Sequence, residues 1–166
     1  MNRAIHNTVR VAVAAFGLSL GAAYAADTPP SPPPAPRAAA APAEPLAEAR
    51  KLIEQNRWRD AIAELQRVNQ TQSADWNNLM GYSHRKAKTP DLEAAQRYYD
   101  EALRLEPAHR GALEYSGELY LMKNDVTAAK QRLQQLEAVC GKGCAEYAQL
   151  QVAIGKHEAQ GTTASR

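Results

Sequence analysis

The sequence predicts an all-α fold: a right-handed helical solenoid of about three helix–turn–helix repeats, closed by a C-terminal capping helix. Three observations predict it. Residues 46–157 are rich in Ala, Leu, Glu, Gln and Arg and poor in β-branched residues, a composition that favours helix. Alanines recur at Ala61, Ala95 and Ala129, spaced by 34 residues twice over. The same register aligns Trp58, Leu92 and Val126, then Leu65, Tyr99 and Leu133, then Val68, Ala102 and Leu136. Within one unit these positions fall 3, 7 and 10 residues after the first, which traces a single helical face.

The elements follow in chain order. Residues 1–25 read as a secretory signal peptide, with Arg3 and Arg10, no acid, and an apolar run over 11–23. Ala23-Tyr24-Ala25 puts small residues at the two positions that signal peptidase reads, so cleavage is expected after Ala25 and the protein is expected in the periplasm. The apolar run is short of the roughly 20 residues that a membrane span needs. No stable membrane insertion is expected after cleavage. Residues 26–45 hold eight of the ten prolines. Proline lacks a backbone donor and fixes φ, so this stretch is expected to be an extended linker, a spacer rather than a ligand. Cleavage removes two Arg and no acid and leaves 18 Lys and Arg against 18 Asp and Glu. A balance that even offers no basic face for nucleic acid.

The single domain, 46–157, is expected to hold helices at 46–55, 58–69, 74–87, 90–105, 109–122, 125–139 and 144–157. Small residues are needed where helices cross closely, and Gly81, Gly117, Ala95 and Ala129 supply them. Leu79, Tyr99, Leu113, Tyr120 and Leu133 fill the space beside them. Thr89 as N-cap, Pro90 at the first helical position and Asp91 behind it form the expected helix start. Pro107 ends that helix. Tyr147, Leu150, Val152 and Ile154 give the last helix its apolar positions, and 158–166 are expected to be a disordered tail.

On Gly81, Ala95, Tyr99, Ala102 and Pro107 in the middle unit, and Gly117, Tyr120 and Ala129 in the third, the chain resembles the tetratricopeptide repeat family. The first unit keeps Ala49, Leu52, Trp58, Ala61, Leu65 and Val68. The stretches HRGALEYSGELYL and CGKGCAEY are similar to short secreted bacterial proteins of that family that end in two cysteines. The resemblance implies a concave groove lined by the first helix of each unit, used for protein–protein interaction. It places Asn78, Tyr82, Arg85 and Lys86 on the groove in the middle unit, and Glu114, Glu118 and Leu121 in the third. Arg50 and Glu54 extend it in the first. Tyr and Arg are frequent binding anchors.

The candidates for chemistry are few. Cys140 and Cys144 are the only cysteines, and in an oxidising compartment a structural disulfide is expected. The alternative is a redox or metal-handling envelope accessory protein that uses this pair, although the spacing is not Cys-x-x-Cys. His84, His109 and His157 each stand alone in their segments, so no metal site is expected. Glu114 and Glu118 lie four apart on one face, and paired carboxylates can do acid–base work, but solvated glutamates are routine on repeat surfaces. Ser73, Ser83 and Ser116 lack a nucleophile context, and there is no phosphate loop. The expectation is therefore a binding scaffold for a peptide or partner protein, without cofactor and not an enzyme.

Overall fold

The computed structural model describes residues 44–164. The expected signal peptide and the linker as far as residue 43 lie outside the described residues. Among the described residues there are seven helices and no strand: α1 Ala47–Glu54, α2 Trp58–Val68, α3 Ala74–Lys86, α4 Leu92–Leu105, α5 Arg110–Met122, α6 Val126–Cys140 and α7 Ala145–Ala164.

Local chemistry sets where these helices start and stop. The Ser73 hydroxyl accepts from the Trp76 N–H at 3.2 Å, and the Asp125 carboxylate accepts from the Ala128 N–H at 2.9 Å. His109 caps α5 in the same way, its Nδ1 accepting from the Ala112 N–H at 3.1 Å. The start of α4 differs from expectation. Asp91, not Thr89, is the N-cap, accepting from the Ala94 N–H at 2.8 Å. A carboxylate there also faces the positive end of the helix dipole, which a threonine cannot match, and Pro90 is left outside the helix. Asn56, Asn69 and Asn124 turn the chain after α1, α2 and α5 with φ of 58°, 52° and 59°. Asparagine tolerates that left-handed conformation better than other side-chain-bearing residues.

The last helix also differs. The chain stays helical to Ala164, where a tail was expected from 158. The segment has no proline, and Glu158, Ala159 and Gln160 favour helix up to Gly161.

Each helix packs on the next along the chain. The odd-numbered helices also touch one another in sequence, α1 to α3, α3 to α5 and α5 to α7, whereas α2, α4 and α6 make no such contacts among themselves. The odd helices therefore form one continuous row, flanked by the even ones. The 34-residue register lands in the core: Ala61, Ala95 and Ala129 have no exposed surface, nor do Leu65, Tyr99, Ala102 and Leu136. The two glycines sit where helices meet most closely. A Cβ on Gly81 would lie 2.7 Å from Tyr99 Cε1, and one on Gly117 would lie 2.5 Å from Leu150 Cδ2. Trp76 ties α2 to α3, its Nε1–H donating to the Leu65 carbonyl at 2.7 Å.

Candidate functional site

The α3 sequence places Asn78, Tyr82 and Arg85 four and then three residues apart, on one helical face. The α5 sequence does the same for Glu114, Glu118 and Leu121. Packing of α3 on α5 brings the two faces together, and Arg85 pairs there with Glu118.

Arg85 is the centre of this cluster. It is 6% exposed. Its Nη2 pairs with Glu118 Oε2 at 2.7 Å, and its Nε–H donates to the Tyr99 hydroxyl at 3.3 Å. The guanidinium lies 5.4 Å from the Tyr82 ring centre and 5.7 Å from that of Tyr115. A delocalised cation between two ring faces is favourable, and the carboxylate and phenol satisfy donors that burial would otherwise leave unpaired. The aromatic contacts run across three helices: Trp58 meets Tyr82 edge-on at 5.8 Å, and Tyr82 meets Tyr115 at 4.6 Å.

The expected groove residues lie at different depths. Asn78, Arg85, Glu114 and Leu121 are buried, so they do not stand free on a surface. Tyr82 and Glu118 are half-buried, and Lys86 is exposed. Arg85 and Glu118, both expected to meet a partner, meet each other. The physical reason is that a helical face presents its residues to whatever lies beside it, and here that is the neighbouring odd-numbered helix. In the first unit Arg50 pairs with Asp75 at 3.1 Å, and Glu54 is exposed.

Glu114 is the unusual group. It is 3% exposed and makes no hydrogen bond or ion pair among the described residues. Burial, then the nearby Glu118 and Glu146 carboxylates, raise its pKa to about 7, against the opposing pull of Arg85. The Tyr115 phenol beside it is pushed up to about 12, by burial first and then by Glu114. The charged groups that act on Glu114 are carboxylates and an arginine, with no nucleophile among them.

Two residues of the cluster escape a sequence reading. Tyr115 and Tyr99 are both apolar-face residues by period, but Tyr82 and Tyr115 are 33 apart, one short of the repeat, so the register does not pair them. The Tyr99 hydroxyl reaches Arg85 from α4, which no pattern within α3 reveals.

The other candidates fall out differently. Cys140 and Cys144 lie at disulfide distance, S–S 2.11 Å, between the end of α6 and the start of α7, and Gly141 between them turns with φ 72°. With Glu146 they form the one grouping of metal-ligand types among the described residues, but both sulfurs are engaged with each other. His109 Nε2 lies 3.1 Å from Asp75, His157 Nε2 lies 3.0 Å from Asn124, and His84 stacks on Tyr98 at 5.5 Å. No described helix is long and apolar enough to cross a membrane. A cleft of about 460 Å³ lies beside the strip, between Glu118 on α5 and Ala148, Val152 and Lys156 on α7. Compared with family models, curated proteins and solved structures, the chain matches none.

Proposed function

We propose that this is a tetratricopeptide-type helical repeat that binds a peptide or partner protein on the face made by α3, α5 and α7, and that it acts in the cell envelope as a scaffold rather than an enzyme. The observation that carries the reading is the contact pattern. Odd helices touch in sequence and even ones do not, which is how stacked helical hairpins generate one continuous inner surface. The half-buried Tyr82 and Tyr115 lie on that surface in contact with each other, and aromatic residues are the usual anchors of a binding face. The neighbouring cleft, with Val152 54% exposed, leaves apolar area for a partner to cover. The 34-residue period and the residues that resemble the family support the same assignment.

The test is affinity capture from periplasmic extract on immobilised wild-type protein and on a Tyr82→Ala, Tyr115→Ala double variant of unchanged helicity. Proteins retained by the wild type and lost on the variant are the expected result. An identical set on both would remove this face as the binding surface.

A further inference from the structure

Asn78 and Glu114 are two buried polar side chains of the strip with hydrogen-bonding capacity that no protein group fills among the described residues. Asn78 is 7% exposed, and its Oδ1 accepts no hydrogen bond among the described residues. Glu114 is 3% exposed and has no partner among the described residues. They stand on helices that touch at this point. Asn78 Nδ2 is 3.2 Å from where a Cβ on Gly111 would sit, and Gly111 lies one turn before Glu114 on α5.

The charges nearby do not close without a further group. Arg85 is taken up by Glu118 at 2.7 Å. Arg110 faces Glu146 at 3.6 Å. Three carboxylates and two cations leave Glu114 over. Both orphan groups are hydrogen-bond acceptors, so the missing group is a donor, and the carboxylate favours a donor that carries positive charge.

We propose that Asn78 and Glu114 form the floor of a subsite for a cationic side chain, a lysine or arginine, carried by a partner peptide lying on the α3 and α5 face. This rests on the reading of that face as a binding surface. An ammonium placed there gives Glu114 its ion pair and Asn78 its donor, and an acidic partner is repelled by the same carboxylates.

The experiment is a fluorescence anisotropy titration of the full chain with fluorescein-labelled hexalysine and hexaglutamate at pH 8, where Glu114 is ionised. Hexalysine is expected to bind and hexaglutamate not. Glu114→Gln, which keeps shape and removes charge, is expected to weaken hexalysine about tenfold, the worth of one charge-assisted contact. Asn78→Asp adds a second carboxylate to the floor and is expected to tighten it several-fold. Circular dichroism checks that each variant keeps its helicity. Hexalysine binding that Glu114→Gln leaves unchanged, or that Asn78→Asp weakens, overturns the subsite, as does absence of hexalysine binding to the wild type. Tyr82→Ala separates the two readings. If it weakens hexalysine while Glu114→Gln does not, the face binds and only the cationic subsite is wrong. If neither variant matters, both readings fall.

Discussion

Arg85 on α3 and Glu118 on α5 form an ion pair of 2.7 Å whose arginine is almost wholly enclosed, between the rings of Tyr82 and Tyr115. The two residues belong to different helical hairpins, so the pair holds one unit to the next. Glu118 keeps about a third of its side chain exposed, so the pair is not sealed from water.

Truncating the arginine is therefore expected to cost more than neutralising the acid. Arg85→Ala removes the ion pair, the Tyr99 hydrogen bond and the packing between two rings. A loss of about 2–3 kcal/mol is expected. Glu118→Gln keeps an oxygen that can accept from Arg85 and is expected to lose about 1 kcal/mol. Urea unfolding followed by circular dichroism measures both. Equal stability of Arg85→Ala and the wild type would show that the pair does not join the units.

Gly81 and Gly117 both sit at close crossings, Gly81 between α3 and α4 and Gly117 between α5 and α7. At Gly81 an added methyl meets the Tyr99 ring at 2.7 and 2.8 Å and the Ala95 carbonyl at 3.1 Å. Tyr99 has no exposed surface and cannot swing aside. At Gly117 the obstruction is the tip of Leu150, at 2.5 Å, on the last helix. A leucine end can rotate, and a terminal helix can shift. Gly81→Ala is thus expected to destabilise by about 2–3 kcal/mol, and Gly117→Ala by roughly half of that. Thermal melts of the two variants should show Gly81→Ala well below Gly117→Ala. The reverse order would mean that α7 is held more rigidly than the α3–α4 crossing.

Replacing Cys140 and Cys144 together by serine is expected to lower the melting temperature by several degrees and to leave partner binding intact. A bridge that closes so short a loop contributes about 2 kcal/mol through the unfolded chain. Its position at the junction of α6 and α7 makes it a restraint on the last helix. Loss of binding or function with the fold retained would favour a redox role for the pair.

The buried Glu114 carboxyl makes stability depend on pH in a definite direction. Its pKa is raised to about 7 in the folded chain, from an ordinary value of 4.5. The folded state then binds the proton more tightly than the unfolded state between those values. Its contribution is fully present below pH 4.5 and is lost as pH rises through about 7. The groups facing it are Glu118 on its own helix, Glu146 on α7 and Arg85 on α3. Wild-type stability is expected to fall between pH 5 and pH 8 relative to Glu114→Gln, by on the order of 1–3 kcal/mol. Parallel stability curves for the two proteins over that range would mean that Glu114 is ionised throughout, with a counter-charge close by.

Much of the fold is readable from local pattern. The 34-residue spacing of Ala61, Ala95 and Ala129 marks three equivalent crossings, and all three alanines are fully buried. Helix positions follow from the 3.6-residue period, and six of the seven helices begin within a residue of their expected starts. The exceptions are instructive. Asp91 outcompetes Thr89 as a cap because a carboxylate binds backbone N–H groups more strongly than a hydroxyl does, and both residues are good candidates by type alone. The last helix runs on to Ala164 because nothing in 158–164 breaks it, and polar composition alone does not distinguish an exposed helix from a tail.

The candidate site divides the same way. Sequence by itself determined that Asn78, Tyr82 and Arg85 share one face of α3, and that Glu114 and Glu118 share one face of α5, because a helix repeats every 3.6 residues whatever surrounds it. Only the tertiary structure decided that Arg85 is taken by Glu118, 33 residues along the chain, and that among the described residues Glu114 and the Asn78 oxygen make no hydrogen bond. A hydrogen bond or ion pair depends on the distance between atoms on different helices. That distance is set by how the helices pack on one another, a quantity that belongs to the packed molecule and to no segment of it.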